Sequence, residues 1–268
     1  MVTSEIDSQE IDTFVQAANL PAETAWSIAK YQRKMERYLF EIFCLDGLEA
    51  LPARHALPLD LLKRFKKVVS LYDESIQFLL GQLRRRGHTI QCGKECSSCC
   101  YHMPAGVSTI ELLYAYHGMH ESTQAARFFR RCLEVEESWT DIFSRHAAKL
   151  GALSRSDSDR ETKSAMLKSY HRLERPCPFL ERNMCRIYPY RPFACRMHFS
   201  LSPPHWCHPA HFQNPYAAKF SIEPGACIYD ALDRLDKRFQ LDLSDIMVCG
   251  LLQLTVNVMR FKEIRWVQ

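Results

Sequence analysis

Seven of the chain's twelve cysteines fall into two groups that any fold has to reconcile. The first is Cys92, Cys96, Cys99 and Cys100; the second is Cys177, Cys185 and Cys195, with only Cys132 between the groups. Loops rich in Pro, Gly and Ser are poor places to bury isolated thiols. A Cys inside a helical apolar pattern is usually a small buried hydrophobe, and Cys44, Cys132 and Cys249 read that way. The clustered seven read as metal ligands, because thiolates are soft donors that hold Zn²⁺ and iron–sulfur clusters tightly.

The compartment bears on this reading. The first residues, Met1-Val2-Thr3-Ser4-Glu5-Ile6-Asp7, are acidic and polar and lack the basic and apolar regions of a signal peptide. The apolar stretch 246–259 is too short to span a bilayer and contains Gln253 and Asn257. A cytoplasmic protein with reduced thiols is expected, and there clustered Cys point to metal or catalysis rather than disulfides. A net charge of +4 is too mild and too dispersed to support nucleic acid as a partner. The triple Arg84-Arg85-Arg86 before Gly87 reads as a solvated helix end. No membrane partner is expected, and the sequence names no protein or small-molecule partner.

Apolar spacing predicts helices along most of the chain. One starts near Pro21, with Trp26, Ala29, Tyr31, Met35, Tyr38, Leu39, Ile42 and Phe43 as its apolar set. A longer one starts near Pro58 and ends at Gly87, with Leu61, Leu62, Phe65, Val68, Val69, Tyr72, Ile76, Leu79, Leu80 and Leu83 facing inward. Ser108 and Glu111 fit a capping box that opens a helix to about 120. Further helices are expected over 123–150, from the polar break at 154–160 to about 173, over 225–240 and over 244–260. Nine prolines between Pro176 and Pro224 leave little room for long elements there. The expected class is mainly α, a helical bundle-like shell around a loop-rich cysteine metal site. The expected organisation is an N-terminal helical region (1–90), a cysteine-cluster module with inserted helices (91–227) and C-terminal helices (228–268) packing on the same domain.

Ligand arithmetic predicts that the two cysteine groups meet. Cys177, Cys185 and Cys195 are one short of a closed tetrahedral thiolate set. Adjacent Cys99 and Cys100 would diverge by about 100° on a helix, so the first group is not expected to close a shell alone. Lys94, Arg186, Arg191 and Arg196 are placed to offset thiolate charge. His198 follows Cys195 by three residues and would share its helical face, which makes it a further candidate ligand. His205, Cys207, His208 and His211 form a donor-rich loop that reads equally as ligands or as polar turn residues. Cys227 is a weaker candidate. No phosphate-cradling Gly-rich loop, Gly-x-Ser-x-Gly or His-Glu-x-x-His is present.

Cys96-x2-Cys99-Cys100, followed by Cys177-Pro178-Phe179-Leu180, Cys185-Arg186-Ile187-Tyr188 and Arg191-Pro192-Phe193-Ala194-Cys195-Arg196, resembles the YkgJ-type CxxCxxCC family over about residues 90–200. That family is described as a zinc- or iron-chelating domain and includes flagellin lysine N-methylase. The first half departs from the pattern, since three residues rather than two separate Cys92 from Cys96. The resemblance implies a metal centre, with methyl transfer as one variant of its chemistry. Cys92-x3-Cys96-x2-Cys99 also has the spacing of the radical S-adenosylmethionine signature, but the strand–helix alternation of that class is missing. The expectation is a metal-binding protein with an iron–sulfur cluster and a redox or modification role. The alternative is a zinc-stabilised helical binding module without catalysis. The candidate ligands are Cys92, Cys96, Cys99, Cys100, Cys177, Cys185, Cys195 and His198.

Overall fold

A computed structural model describes residues 21–93, 96–150 and 158–268. Lys94 and residues 151–157 of the polar break lie outside these, as do residues 1–20. The chain is mainly helical: α1 (Ala22–Phe43), α2 (Leu51–Arg54), α3 (Leu59–Arg85), α4 (Thr109–Glu121), α5 (Ala125–Leu150), α6 (Ser158–His171), α7 (Ala226–Phe239) and α8 (Met247–Gln253). Between them lie short strands β1 (Ala56–Pro58), β2 (Leu180–Glu181), β3 (Met184–Cys185), β4 (His198–Ser200), β5 (Lys219–Ser221) and β6 (Arg265–Val267). β2 pairs with β3 and β4 with β5, both antiparallel, whereas β1 and β6 pair in parallel.

Helix periodicity explains which predicted residues reach the core. On α3 the expected inward residues are buried except Leu62, which is half-buried at the edge of the core, and Gly87 follows with a left-handed φ of 88° that suits a residue without Cβ. On α1 only Met35, Leu39 and Ile42 of the apolar set are buried. Trp26 is 62% exposed. It stands nine residues before Met35, which at about 100° per residue puts it on the opposite side. Phe43 is displaced from Ile42 by one such step and is exposed as well.

α4 is the central element. It is buried almost all round, as a helix surrounded by others must be. It touches α5, α7 and α8 on one side and the turn at Tyr188–Tyr190 on the other. Gly118 makes this last approach possible, because a Cβ there would sit 2.5 Å from the Tyr190 ring. α1 packs on α3 and α7. The predicted final helix is shorter than expected: α8 ends at Gln253 and gives way to a π-helical turn, Leu254–Val258. There Thr255 Oγ1 donates to the Leu251 carbonyl at 2.6 Å, competing for the acceptor that the regular ladder uses. No helix among the described residues is long and apolar enough to cross a membrane.

Candidate metal centre

The capping box read from the sequence does more than start α4. Ser108 N and Ser108 Oγ donate to Glu111 Oε2 at 2.9 and 2.7 Å. Glu111 Oε1 accepts from Phe193 N at 2.7 Å. The buried carboxylate thus ties the first turn of α4 to the 3-10 turn Phe193–Cys195. Burial pushes its pKa up, against the pull of those donors. Arg196 braces the same turn from behind: its Nη1 donates to both Asp73 oxygens on α3, at 2.9 and 2.6 Å. Its other nitrogens donate to the Pro189 and Arg191 carbonyls.

These braces bring the two cysteine groups together. Cys99 and Cys100 lie on the 3-10 turn Ser98–Tyr101, and Cys177 N donates to Cys100 O at 2.7 Å. Cys185 lies on β3, held by the Leu180↔Cys185 pairing. Cys195 ends its turn with its N–H on Pro192 O at 3.0 Å. The thiols of Cys99 and Cys100 lie close enough on the tight turn to act on each other, where regular helical spacing would part them. Cys100 is pushed toward its protonated form by Cys99 and by burial, and the neighbouring Cys177 and Cys195 add to the push. Cys99 is lowered, chiefly by Cys100. Cys177 and Cys195 are raised by burial and then by facing thiols, as is Cys185.

Cys92 and Cys96 form a second pair whose thiols act on each other; Cys207 also acts on Cys92, and Cys96 acts on Cys99 of the first group. Ser200 N on β4 donates to Cys92 Sγ at 3.1 Å. The bond from Cys92, helped by donors from Ser98, brings the Cys96 thiol down to about 6.

The predicted cations divide. Arg191 favours the thiolates of Cys99, Cys185 and Cys195, with its guanidinium 3.6 Å from the centre of the Tyr188 ring. Arg196 acts weakly on Cys185, because its hydrogen bonds go to Asp73 and backbone carbonyls. Arg186 turns away to Glu181, at 2.9 Å. His198 does not share a helical face with Cys195: it opens strand β4, and its Nδ1 lies 3.0 Å from Ser221 Oγ. In the His loop, His208 Nδ1 and His211 Nδ1 accept the Ala210 and Gln213 N–H groups at 3.2 Å each, which is the behaviour of polar turn residues. Cys132 is buried, Cys249 is half-buried and Cys44 is exposed just past the end of α1. Cys227 lies in the first turn of α7, away from both groups.

Sequence reasoning did not find Asp73, which carries Arg196, or the second role of Glu111. Both pair across the fold, and no local pattern signals them. Among the described residues, no three His, Cys, Asp or Glu side chains form a ready metal-holding set. The donor type nonetheless suits a soft metal: five thiols act on one another, and burial disfavours the charge of four of them, Cys100, Cys177, Cys185 and Cys195. Comparison with family models, with curated proteins and with solved structures finds no match.

Proposed function

We propose that the chain is a cysteine-cluster metal-binding protein in which Cys99, Cys100, Cys177, Cys185 and Cys195 supply the thiolates for an iron–sulfur cluster. The observation that carries this reading is the Cys100–Cys177 backbone bond, which joins the two cysteine segments at the point where their thiols interact. The resemblance of the cysteine motifs to a chelating family supports it. A bound cluster supplies one-electron chemistry. The chain's part is to hold the thiols in place through Glu111 and Arg196, to favour their deprotonation through Arg191, and to leave Cys99, the group's exposed member, open to a partner. On this reading the chain has a redox role or modifies a protein or small molecule, and the exposed Cys99 is where a partner would approach.

Anaerobic purification followed by metal analysis and visible spectroscopy tests the reading. Brown protein containing iron and sulfide is the expected result. Colourless protein carrying zinc would replace the iron–sulfur assignment with a zinc-stabilised helical module. Protein that binds neither metal on reconstitution overturns both.

A further inference from the structure

The β2–β3 hairpin carries Cys185 on one strand and walls a cleft of about 440 Å³ on its other side. Arg127 and Arg131 line that cleft from α5, and Arg182 and Arg186 line it from the hairpin, with Glu181 as the one carboxylate among them. Glu181 is 11% exposed and already shared. Its Oε1 lies 2.9 Å from Arg127 Nη1 and 3.7 Å from Arg131 Nη1, and its Oε2 lies 2.9 Å from Arg186 Nε. The buried Oε1 accepts no aligned hydrogen bond, so its contact with Arg127 is ionic only. Arg131 is further fixed by donating to Leu180 O at 3.0 Å. Arg182 has no carboxylate partner among the described residues. One carboxylate cannot neutralise four guanidinium groups, and like charges this close repel unless an anion joins them.

The backbone adds a second observation. The hairpin turns through Arg182 and Asn183, both left-handed at φ 49° and 62°. Asn tolerates that region and Arg does not favour it. A bulky cation is therefore held in a strained position whose effect is to hang a guanidinium over the cleft.

We propose that this cleft binds the phosphate group of an anionic small molecule. Guanidinium forks match phosphate oxygens in pairs. A phosphate ester brings nearly two charges and three acceptor oxygens, which use the excess of cations more fully than one carboxylate does. The bound group would lie one residue from Cys185. The site does not depend on the thiols holding metal, so a colourless preparation tests it equally well.

Calorimetry on the full chain with pyrophosphate, at about 0.15 M salt to screen diffuse attraction, is the test. One saturable site is expected. Arg182→Gly relieves the left-handed strain, so its melting temperature should hold or rise while binding weakens about tenfold, the scale of one charge-assisted contact. Arg127→Gln should weaken it similarly. Glu181→Gln should tighten it, because the competing carboxylate is gone. Non-saturable binding overturns the proposal, as does unchanged affinity in a folded Arg182→Gly protein or weaker binding in a folded Glu181→Gln protein. Succinate binding as tightly as pyrophosphate overturns the assignment to phosphate.

Discussion

Cys96 and Cys100 sit on the same short stretch of chain, yet one is drawn toward its thiolate and the other toward its thiol. The difference lies in what each side chain meets. Cys96 receives a bond from Cys92 and further donors from Ser98, so its negative charge is already solvated by protein groups. Cys100 keeps its proton beside Cys99 and faces Cys177 and Cys195 in a buried setting. The outer pair can therefore hold charge without a metal. Of the inner five only Cys99 is drawn toward its thiolate, and Arg191 offsets the burial of Cys185 and Cys195 only in part.

The strongest way to break this contrast is to remove one sulfur from each group. Cys177→Ser or Cys195→Ser should lower metal affinity more than about 100-fold, beyond the scale of losing a hydrogen-bond partner of a ligand. Stability should fall with it, because metal binding and folding are coupled. Cys92→Ser and Cys207→Ser should keep bound metal within about twofold, as independent sites do. Metal analysis of the four variants decides; equal losses in both groups would erase the distinction.

A smaller effect is expected from loosening the brace on the inner group alone. Asp73→Asn leaves the Arg196 guanidinium, 3% exposed, without its counter-charge. Unfolding free energy should drop by roughly 1 kcal/mol, because Asp73 is 46% exposed and solvent screens the pair. Denaturant titration reads that loss, and alkylation of Cys96 at fixed pH should stay unchanged. Slower or faster Cys96 alkylation would show that the two groups are mechanically linked.

A further effect is a pH response beside the cysteine turn. His102 and His171 stack with ring centroids 3.8 Å apart, and His208 acts on His171. Burial pushes His102 down to about 3 and also lowers His171. The unfolded chain binds protons at these rings from about pH 6.5 downward, and the folded chain resists them. Their contribution is full above that pH and declines as pH falls toward 3. Thermal melts from pH 7 to pH 4 should show a falling midpoint, and His102→Gln should flatten the slope. A slope unchanged by the substitution would remove the stack from the account.

The helices were legible because each follows a local rule. Apolar spacing marked α3 and α5, Ser108 and Glu111 announced α4, and Gly87 closed α3. The two cysteine segments were expected to meet, and they touch where Cys177 N donates to Cys100 O, with Cys92 facing β4 instead. What escaped were choices made by distant partners. Arg196 had an equal claim on thiolates until Asp73, on a helix more than a hundred residues earlier, took it. His198 reads as one helical step from Cys195 until the pairing with β5 pulls it into a strand. The arginines of the cleft lie on α5 and on a hairpin whose turn, Arg182-Asn183, carries only Asn as a sign of its left-handed geometry.

The parallel pairing of β1 with β6 sets Ala56 against Arg265, Leu57 against Trp266 and Pro58 against Val267. Every cysteine precedes β6 in the chain. During synthesis, β1 leaves the ribosome early and waits while each thiol is made, and only then does its partner strand arrive. Closing so long a loop adds entropy cost only slowly with length, but it delays the last contact in time. The topology thus sets an order: every cysteine is already in the chain before β1 can find its partner strand.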